Sequence, residues 1–252
     1  MSDSQEPDVF DIDFVLRQWP FKPGVIAARL VCAADGREVL QMRVEMGLLQ
    51  METTGRPDGE HPGGADNCLQ WLEELHRVQG ESFVLNEMQC MEIDREFLQF
   101  YHRRICCLAL RQFDRAGADS DYTLALMDFV AAHSPNPEWA LSHEQYRPFV
   151  LFHHIQAAAM LTLDTSGPER AIETINQGLR QMREVFTKFD AEEQFDQDEL
   201  VGQLVAMKES LREEYRVGKT LSEQLDDAVI SEEYERAARL RDEIAKQRPS
   251  PT

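Results

Sequence analysis

The sequence predicts a mainly α protein that begins with a small β-hairpin and ends with an antiparallel pair of short helices. Three observations lead to this fold class. Residues 25–46 form two apolar stretches around the turn sequence Ala-Ala-Asp-Gly, as the strands of a hairpin do. From Cys68 onward, apolar residues recur every three to four positions, as on amphipathic helices. Residues 221–247 show two short helical patterns with a break at Ile230 and Ser231.

The N-terminal strands are predicted over residues 25–32 and 38–46, with a further short strand over residues 48–52. In the second strand the apolar residues alternate with polar ones and define one face; they are Leu40, Met42, Val44 and Met46. A lone hairpin is marginally stable in water. Its apolar face is therefore expected to pack on the helices that follow.

The helical body is predicted over residues 67–189. Asn86 begins a long helix, and a second helix follows Phe113 and Ala116. This pair resembles a tetratricopeptide (TPR) helical hairpin, although Arg111 stands where that repeat has Gly. A later pair around Ala171 is also TPR-like, but the spacing is too long for a regular array.

Four segments follow from these patterns. Residues 1–66 hold the β-hairpin region and a Gly/Pro-rich loop, and residues 67–189 hold the TPR-like helices. Residues 190–218 combine an acidic linker with an amphipathic helix, and residues 219–252 hold the terminal hairpin and a tail.

The composition limits the classes of partner. The chain has 252 residues with a formal net charge of −20 and a pI of about 4.7. Such a charge opposes direct binding to nucleic acid or to an anionic membrane, because phosphate contacts need clustered Lys and Arg. No stretch approaches the ~20 apolar residues of a membrane-spanning helix. The acidic start has no apolar signal core, and the five cysteines form no Cys-x-x-Cys pair, so a cytoplasmic protein is expected.

The terminal stretch has the clearest local signals. Thr220 and Glu223 form a capping box at the start of its first helix. Ser231 is predicted to cap the second helix, and the adjacent Ala237 and Ala238 are expected to let the two backbones approach closely. A hairpin this short is not stable alone. It is expected to pack on its own chain, on a second copy or on a partner.

The pattern of this stretch resembles the UVR motif, the helical hairpin of the excision-repair proteins UvrB and UvrC. The motif also occurs in activators of protein arginine kinases and in adaptors of Clp proteases. Tyr234 stands where Phe is usual. The resemblance implies docking onto a like hairpin or a partner, without catalysis. The partner-binding residues it implies are Leu221, Leu225, Tyr234, Ala237, Ala238, Leu240, Arg241, Asp242 and Ile244.

No catalytic or cofactor motif is recognisable, so neither a catalytic residue nor a metal or cofactor site is predicted. We therefore expect a non-enzymatic interaction or adaptor protein of the bacterial cytosol. By resemblance its partner is a Clp-type chaperone, a kinase or a repair factor, or a second copy in a homodimer. One alternative is an accessory factor of nucleotide excision repair. Another is an enzyme that uses residues 56–61, with Arg56 and His61, of the loop over residues 53–66.

Two places remain open as ligand sites in the sequence. One is the loop over residues 53–66. The other is a groove formed by residues 101–104 together with His153 and His154. A basic spot there would suit a carboxylate.

Overall fold

Helices make up most of residues 12–247, which are the residues that the computed structural model describes. A three-stranded antiparallel sheet near the start completes the architecture, and the predicted mainly α class is confirmed. The acidic start at residues 1–11 and the tail at residues 248–252 lie outside the described residues. The chain forms two compact units, one up to Asp119 together with Asp128–Asn136, the other from Ser120–Met127 and Pro137 onward.

The sheet of the first unit has the strand order β1-β2-β3. Its strands are β1 (Ala27–Cys32), β2 (Glu38–Val44) and β3 (Gly47–Glu52). Leu40 pairs with Leu30 on one side and with Met51 on the other. Leu40 is buried, as the alternating pattern predicts, and its neighbour Met51 in β3 is buried as well.

The prediction that β2 continues to Met46 is wrong. Val44 pairs with Gly47, so the two residues between them form the turn, and Met46 is 90% exposed. Arg43, predicted on the polar face, is buried because its guanidinium donates to the backbone oxygens of Trp19 and Gly47 at 2.8 and 2.7 Å. Backbone acceptors thus replace water around this charge.

Of the helices in the first unit, α3 (Glu87–Ala109) packs on the sheet as predicted, since it contacts both β1 and β2. The helices are α1 (Asp13–Gln18), α2 (Cys68–Gln79) and α3 (Glu87–Ala109). Asn86 and Gln89 form a reciprocal capping box at the start of α3, which confirms the predicted cap. The buried apolar residues of these helices include Cys68, Leu72, Ile93 and Phe100. The next helix, α4 (Phe113–His133), has residues in both units.

The second unit is built around two helices that are separated by Gly167. They are α6 (Arg147–Ser166) and α7 (Pro168–Lys188), flanked by α5 (Pro137–Glu144) and α8 (Glu199–Tyr215). At Gly178 an added Cβ would lie 2.4 Å from Ile155, so only glycine permits this close approach of α6 and α7. Within the predicted acidic linker, Glu192–Gln197 is a 3-10 helix whose Phe195 is buried against Phe186.

The chain ends in two short antiparallel helices, α9 (Leu221–Ile230) and α10 (Tyr234–Gln247). They share a small apolar core of their own, made by Ala228, Ala237 and Leu240 with Leu221 and Leu225 against it. The larger core of the second unit is a separate cluster that includes Ile155, Ile172 and Leu204. The terminal hairpin is therefore a small module with its own interior.

Candidate functional site

The first helix of the terminal hairpin begins as predicted. The Thr220 hydroxyl accepts from the Glu223 N–H at 3.4 Å, and the Glu223 carboxylate accepts from the Thr220 N–H at 2.9 Å. This capping box satisfies two N–H groups that have no partner within the helix. Thr220 is almost completely buried, so the start of α9 is fixed against the rest of the second unit.

The turn between the helices differs from the prediction. Ser231 does not cap α10; it ends α9, because its N–H still donates to Asp227 at 2.9 Å. Glu232 then adopts a φ of +56°. The Glu232 and Glu233 N–H groups donate back to Val229 and Ala228 at 3.1 and 2.8 Å. This is a Schellman closure, which satisfies the last carbonyls of a helix and turns the chain sharply.

The interior of the hairpin is a contact between small residues. Ala228 is fully buried and Ala237 is 9% exposed, and they let the two backbones approach closely. Leu240 closes the interior one turn further along α10. Ala238 was expected to share this contact, but it is exposed. Neighbouring positions on a helix point about 100° apart, so only one of two adjacent alanines faces the partner helix.

The predicted partner-binding residues therefore divide into two groups. Four belong to the interior of the hairpin: Leu221, Leu225, Ala237 and Leu240. Four are exposed: Tyr234, Ala238, Arg241 and Asp242. Ile244 is half-buried. The four exposed residues do not belong to the apolar interior that holds the hairpin together.

The exposed residues form a stripe along α10. Tyr234, Ala238 and Arg241 are spaced four and three residues apart, which aligns them on one side of a helix. Tyr234 is 69% exposed. Val229 and Ile230, at the end of α9, are 53% and 81% exposed and were not predicted as site residues. The sequence signal that could have indicated them is the occurrence of two adjacent apolar residues directly before a turn. We use the name outer face for these five exposed residues, of which three lie along one side of α10 and two lie at the end of α9.

Polar contacts attach the hairpin to the rest of the second unit. The Glu223 carboxylate pairs with Arg212 of α8 at 2.6 Å and with Lys208 at 3.5 Å. The Glu173 carboxylate of α7 accepts from the hydroxyls of Thr220, at 3.1 Å, and Ser222. A groove of about 760 Å³ lies between α7 and the hairpin, and Leu221 and Ile244 line it. Those two predicted residues therefore face the body.

The ionisation of Glu223 favours this attachment. Burial alone would raise the pKa of Glu223, but the Thr220 N–H and the Arg212 guanidinium stabilise the carboxylate and lower the pKa below its ordinary value. A lowered pKa stabilises the attached form above the ordinary pKa, and this contribution is lost as the pH falls through the lowered value.

We expect acid to loosen the start of α9. Between about pH 5 and pH 3, which spans the ordinary pKa of a glutamate, amide-exchange protection of α9 should fall after correction for intrinsic exchange. A Glu223→Gln chain, which lacks this titration, should show a smaller change over the same range. Equal loss of protection in both chains would contradict the role assigned to Glu223.

The loop over residues 53–66 uses its charged residues to hold itself in place. The Arg56 side chain is 1% exposed and pairs with Asp58 at 3.1 Å, Glu92 at 2.7 Å and Glu96 at 3.4 Å. Glu96 also accepts from the Cys68 N–H at 3.0 and 3.1 Å. His61, in contrast, is exposed. The segment named for the enzyme alternative, residues 56–61, thus begins with a buried arginine that anchors the loop and ends with a histidine on the surface.

The basic residues at 101–104 also make internal contacts in the first unit. Arg103 pairs with Asp119 at 2.7 Å and donates to the Gly55 oxygen at 2.8 Å. Burial lowers the pKa of Arg104 to about 10. Arg103 thus links α3 to the loop over residues 53–66.

The two adjacent histidines of α6 have separate surroundings in the second unit. His153 is buried with its ring 4.3 Å from that of Phe149, and His154 lies 3.0 Å from Asp121. Within residues 12–247, no cluster of three or more His, Cys, Asp or Glu side chains has a geometry suited to a metal ion. None of the helices described is both long and apolar enough to cross a membrane.

Of three comparisons with known proteins, one agrees with the geometry of the terminal hairpin. No curated protein and no solved structure matches the chain. A family model does match, under the description UvrB/uvrC motif (UVR), over residues 218–247. This range contains both helices of the terminal hairpin and the turn between them. The hairpin formed by α9 and α10 is therefore a UVR motif, as its sequence pattern predicts.

Proposed function

We propose that this protein is a non-enzymatic interaction or adaptor protein that docks a partner protein through the outer face of its UVR hairpin. The observation that supports this most directly is the division of the motif into two sides. One side closes the interior through Ala228, Ala237 and Leu240. The other leaves Ile230 and Tyr234 largely in water.

The chemistry of the outer face suits protein docking. Interface residues that contribute most to affinity are enriched in Tyr and Arg. Tyr234 and Arg241 lie on the same side of α10, with the small Ala238 between them. A small residue between two large ones leaves room for a side chain of the partner. Exposed Ile230 adds apolar area at the turn.

The class of partner follows from resemblance and charge. UVR motifs are known from DNA-repair and Clp-associated proteins. The candidates are therefore a Clp-type chaperone, a kinase or a repair factor, and a second copy of this hairpin. The net charge of −20 opposes direct contact with nucleic acid. A cytoplasmic location in a bacterium is part of the proposal, and the absence of any disulfide among the five cysteines agrees with a reducing compartment.

The second candidate function is an accessory factor of nucleotide excision repair that contacts repair proteins. The description of the motif as that of UvrB and UvrC favours it. It predicts that the captured partner is a repair protein. We propose no catalytic function, because the buried Arg56 is already paired with three carboxylates.

The test compares the full chain with one that ends at Gly218, both used to capture partners from the native cell. We expect the shortened chain to capture at least about tenfold less partner than the full chain, because it lacks the whole motif. Sedimentation of both chains separates docking of a partner from pairing of two copies. If the shortened chain recovers every partner at the level of the full chain, the proposal fails.

A further inference from the structure

Helix α3 has a second apolar surface, which is left exposed in the part of the chain that the structure describes. Met88, Met91 and Leu98 are 72%, 65% and 54% exposed, and Val84, just before the helix, is 56% exposed. Arg95 lies between Met91 and Leu98. The four of these residues that belong to α3 are spaced three, four and three apart, so they follow one side of the helix, and Val84 lies in the extended segment just before it. We call them the α3 stripe.

The α3 stripe is not needed for the core of the first unit. The opposite side of α3 supplies the buried residues, including Ile93, Glu96 and Phe100. The methionines therefore contribute little to folding and leave about three turns of apolar helix in water. Methionine side chains are flexible and polarisable, which suits a surface that must fit the side chains of another protein.

The charges beside the α3 stripe are mainly acidic. Glu87 and Asp94 are exposed along one edge, whereas Glu92, along the other, is already paired with Arg56 at 2.7 Å. The one cation in the stripe, Arg95, is held to the loop by Asp58 at 3.1 Å and Glu60 at 3.2 Å. The positive charge of Arg95 is therefore neutralised by the loop. The aliphatic stem of its side chain is left to cover apolar surface.

From these observations we propose that the α3 stripe docks a basic amphipathic helix of a partner protein. The apolar side of such a helix would lie on Met88, Met91 and Leu98, and its Lys and Arg side chains would meet Glu87 and Asp94. A second copy of this chain is the wrong occupant, because its own acidic edges would face these. The surface is independent of the UVR hairpin and gives the protein a second docking site.

The test uses a synthetic helical peptide of about four turns, made of leucine on one side and lysine on the other. A peptide with the same composition in scrambled order has no apolar side and serves as the reference. Binding of both to the full chain is measured by fluorescence anisotropy at several salt concentrations. The ordered peptide is expected to bind at least about tenfold more tightly than the scrambled one.

Variants locate the binding surface, and the first of them leaves the charge of the chain unchanged. The double substitution Met88→Gln with Met91→Gln keeps the length of both side chains. It is expected to weaken binding of the ordered peptide at least about tenfold. Met46→Gln, at a 90% exposed methionine in the β2–β3 turn, is the matched control and should leave binding unchanged. Glu87→Gln with Asp94→Asn should weaken binding and reduce its salt dependence.

Three outcomes would overturn the proposal. The first is equal binding of the ordered and scrambled peptides. The second is equal binding by the Met88/Met91 variant and the wild-type chain, since the attraction would then be charge alone. The third is a wild-type dimer that the same variant dissolves in sedimentation, because the α3 stripe would then hold a second copy. The full-length Ala238→Glu chain, which is altered only in the UVR hairpin, should bind the peptide as the wild-type chain does, so this test does not depend on the UVR hairpin.

Discussion

Replacing Ala237 with glutamate is expected to unfold the UVR hairpin while the rest of the protein stays folded. Ala237 is 9% exposed and lies in the small cluster with Ala228 and Leu240. A glutamate at this buried position takes a carboxylate out of water, and burying a polar group without a partner costs about 2 kcal/mol or more. Two helices this short have little stability to lose. The larger core of the second unit does not include these residues and should be unaffected.

Amide exchange measures this effect segment by segment. In the Ala237→Glu chain, protection should be lost throughout α9 and α10 and retained in α6 and α7. The matched control is Ala238→Glu, one position along and exposed. It should change the free energy of unfolding by no more than about 0.5 kcal/mol. Equal protection of α9 and α10 in the Ala237→Glu and wild-type chains would show that the packing side is assigned incorrectly.

Removing the Arg56 guanidinium is expected to destabilise the first unit strongly. Glu96 is fully buried 3.4 Å from Arg56, and Glu92 is paired with it at 2.7 Å. Arg56→Ala leaves both carboxylates without this cation. Breaking a buried ion pair by removing one partner costs about 3–5 kcal/mol. Urea unfolding followed by amide exchange in α2 and α3 would measure the loss.

Arg95→Ala is the matched control for this change. Arg95 pairs with Asp58 and Glu60 near the same loop, but its side chain is 47% exposed. Exposed ion pairs contribute about 0–1 kcal/mol. If Arg56→Ala costs no more than Arg95→Ala, the loop over residues 53–66 does not depend on its buried arginine.

The parts of the fold that sequence predicts well are those determined by local chemistry. The capping box of Thr220 with Glu223 and the cap at Asn86 both occur as expected, and Gln89, three residues after Asn86, completes a second box. The strand pattern around Leu40 likewise depends on side-chain alternation along a few residues. These signals need no knowledge of the rest of the chain.

Two errors within the UVR hairpin show where local preference fails. Serine is a good N-cap, yet Ser231 ends α9, because Glu232 and Glu233 close that helix first by donating back to it. Glu232 does so at a positive φ that usually requires glycine, so nothing in its residue type announces the turn. The other error was to place both adjacent alanines, Ala237 and Ala238, at the contact between the two helices. Ala237 shares its helical side with Leu240 and Ile244, and that spacing identifies it as the inner one.

The contacts that sequence does not reveal are those between distant residues. Arg56 meets Glu92 and Glu96, and Thr220 meets Glu173, across separations that no periodic pattern encodes. The outer face of the hairpin was also incomplete without Val229 and Ile230, because their exposure depends on how the turn closes. Burial, more than composition, separates the folding residues of the motif from its docking residues.

The affinity of a captured partner for the Ala238→Glu chain tests the central claim most directly. This substitution places a charge on the outer face between Tyr234 and Arg241 and leaves the interior of the hairpin intact. If the outer face docks the partner, the dissociation constant should rise at least about tenfold while α9 and α10 keep their amide-exchange protection. An unchanged dissociation constant in a folded Ala238→Glu hairpin would contradict docking through this face.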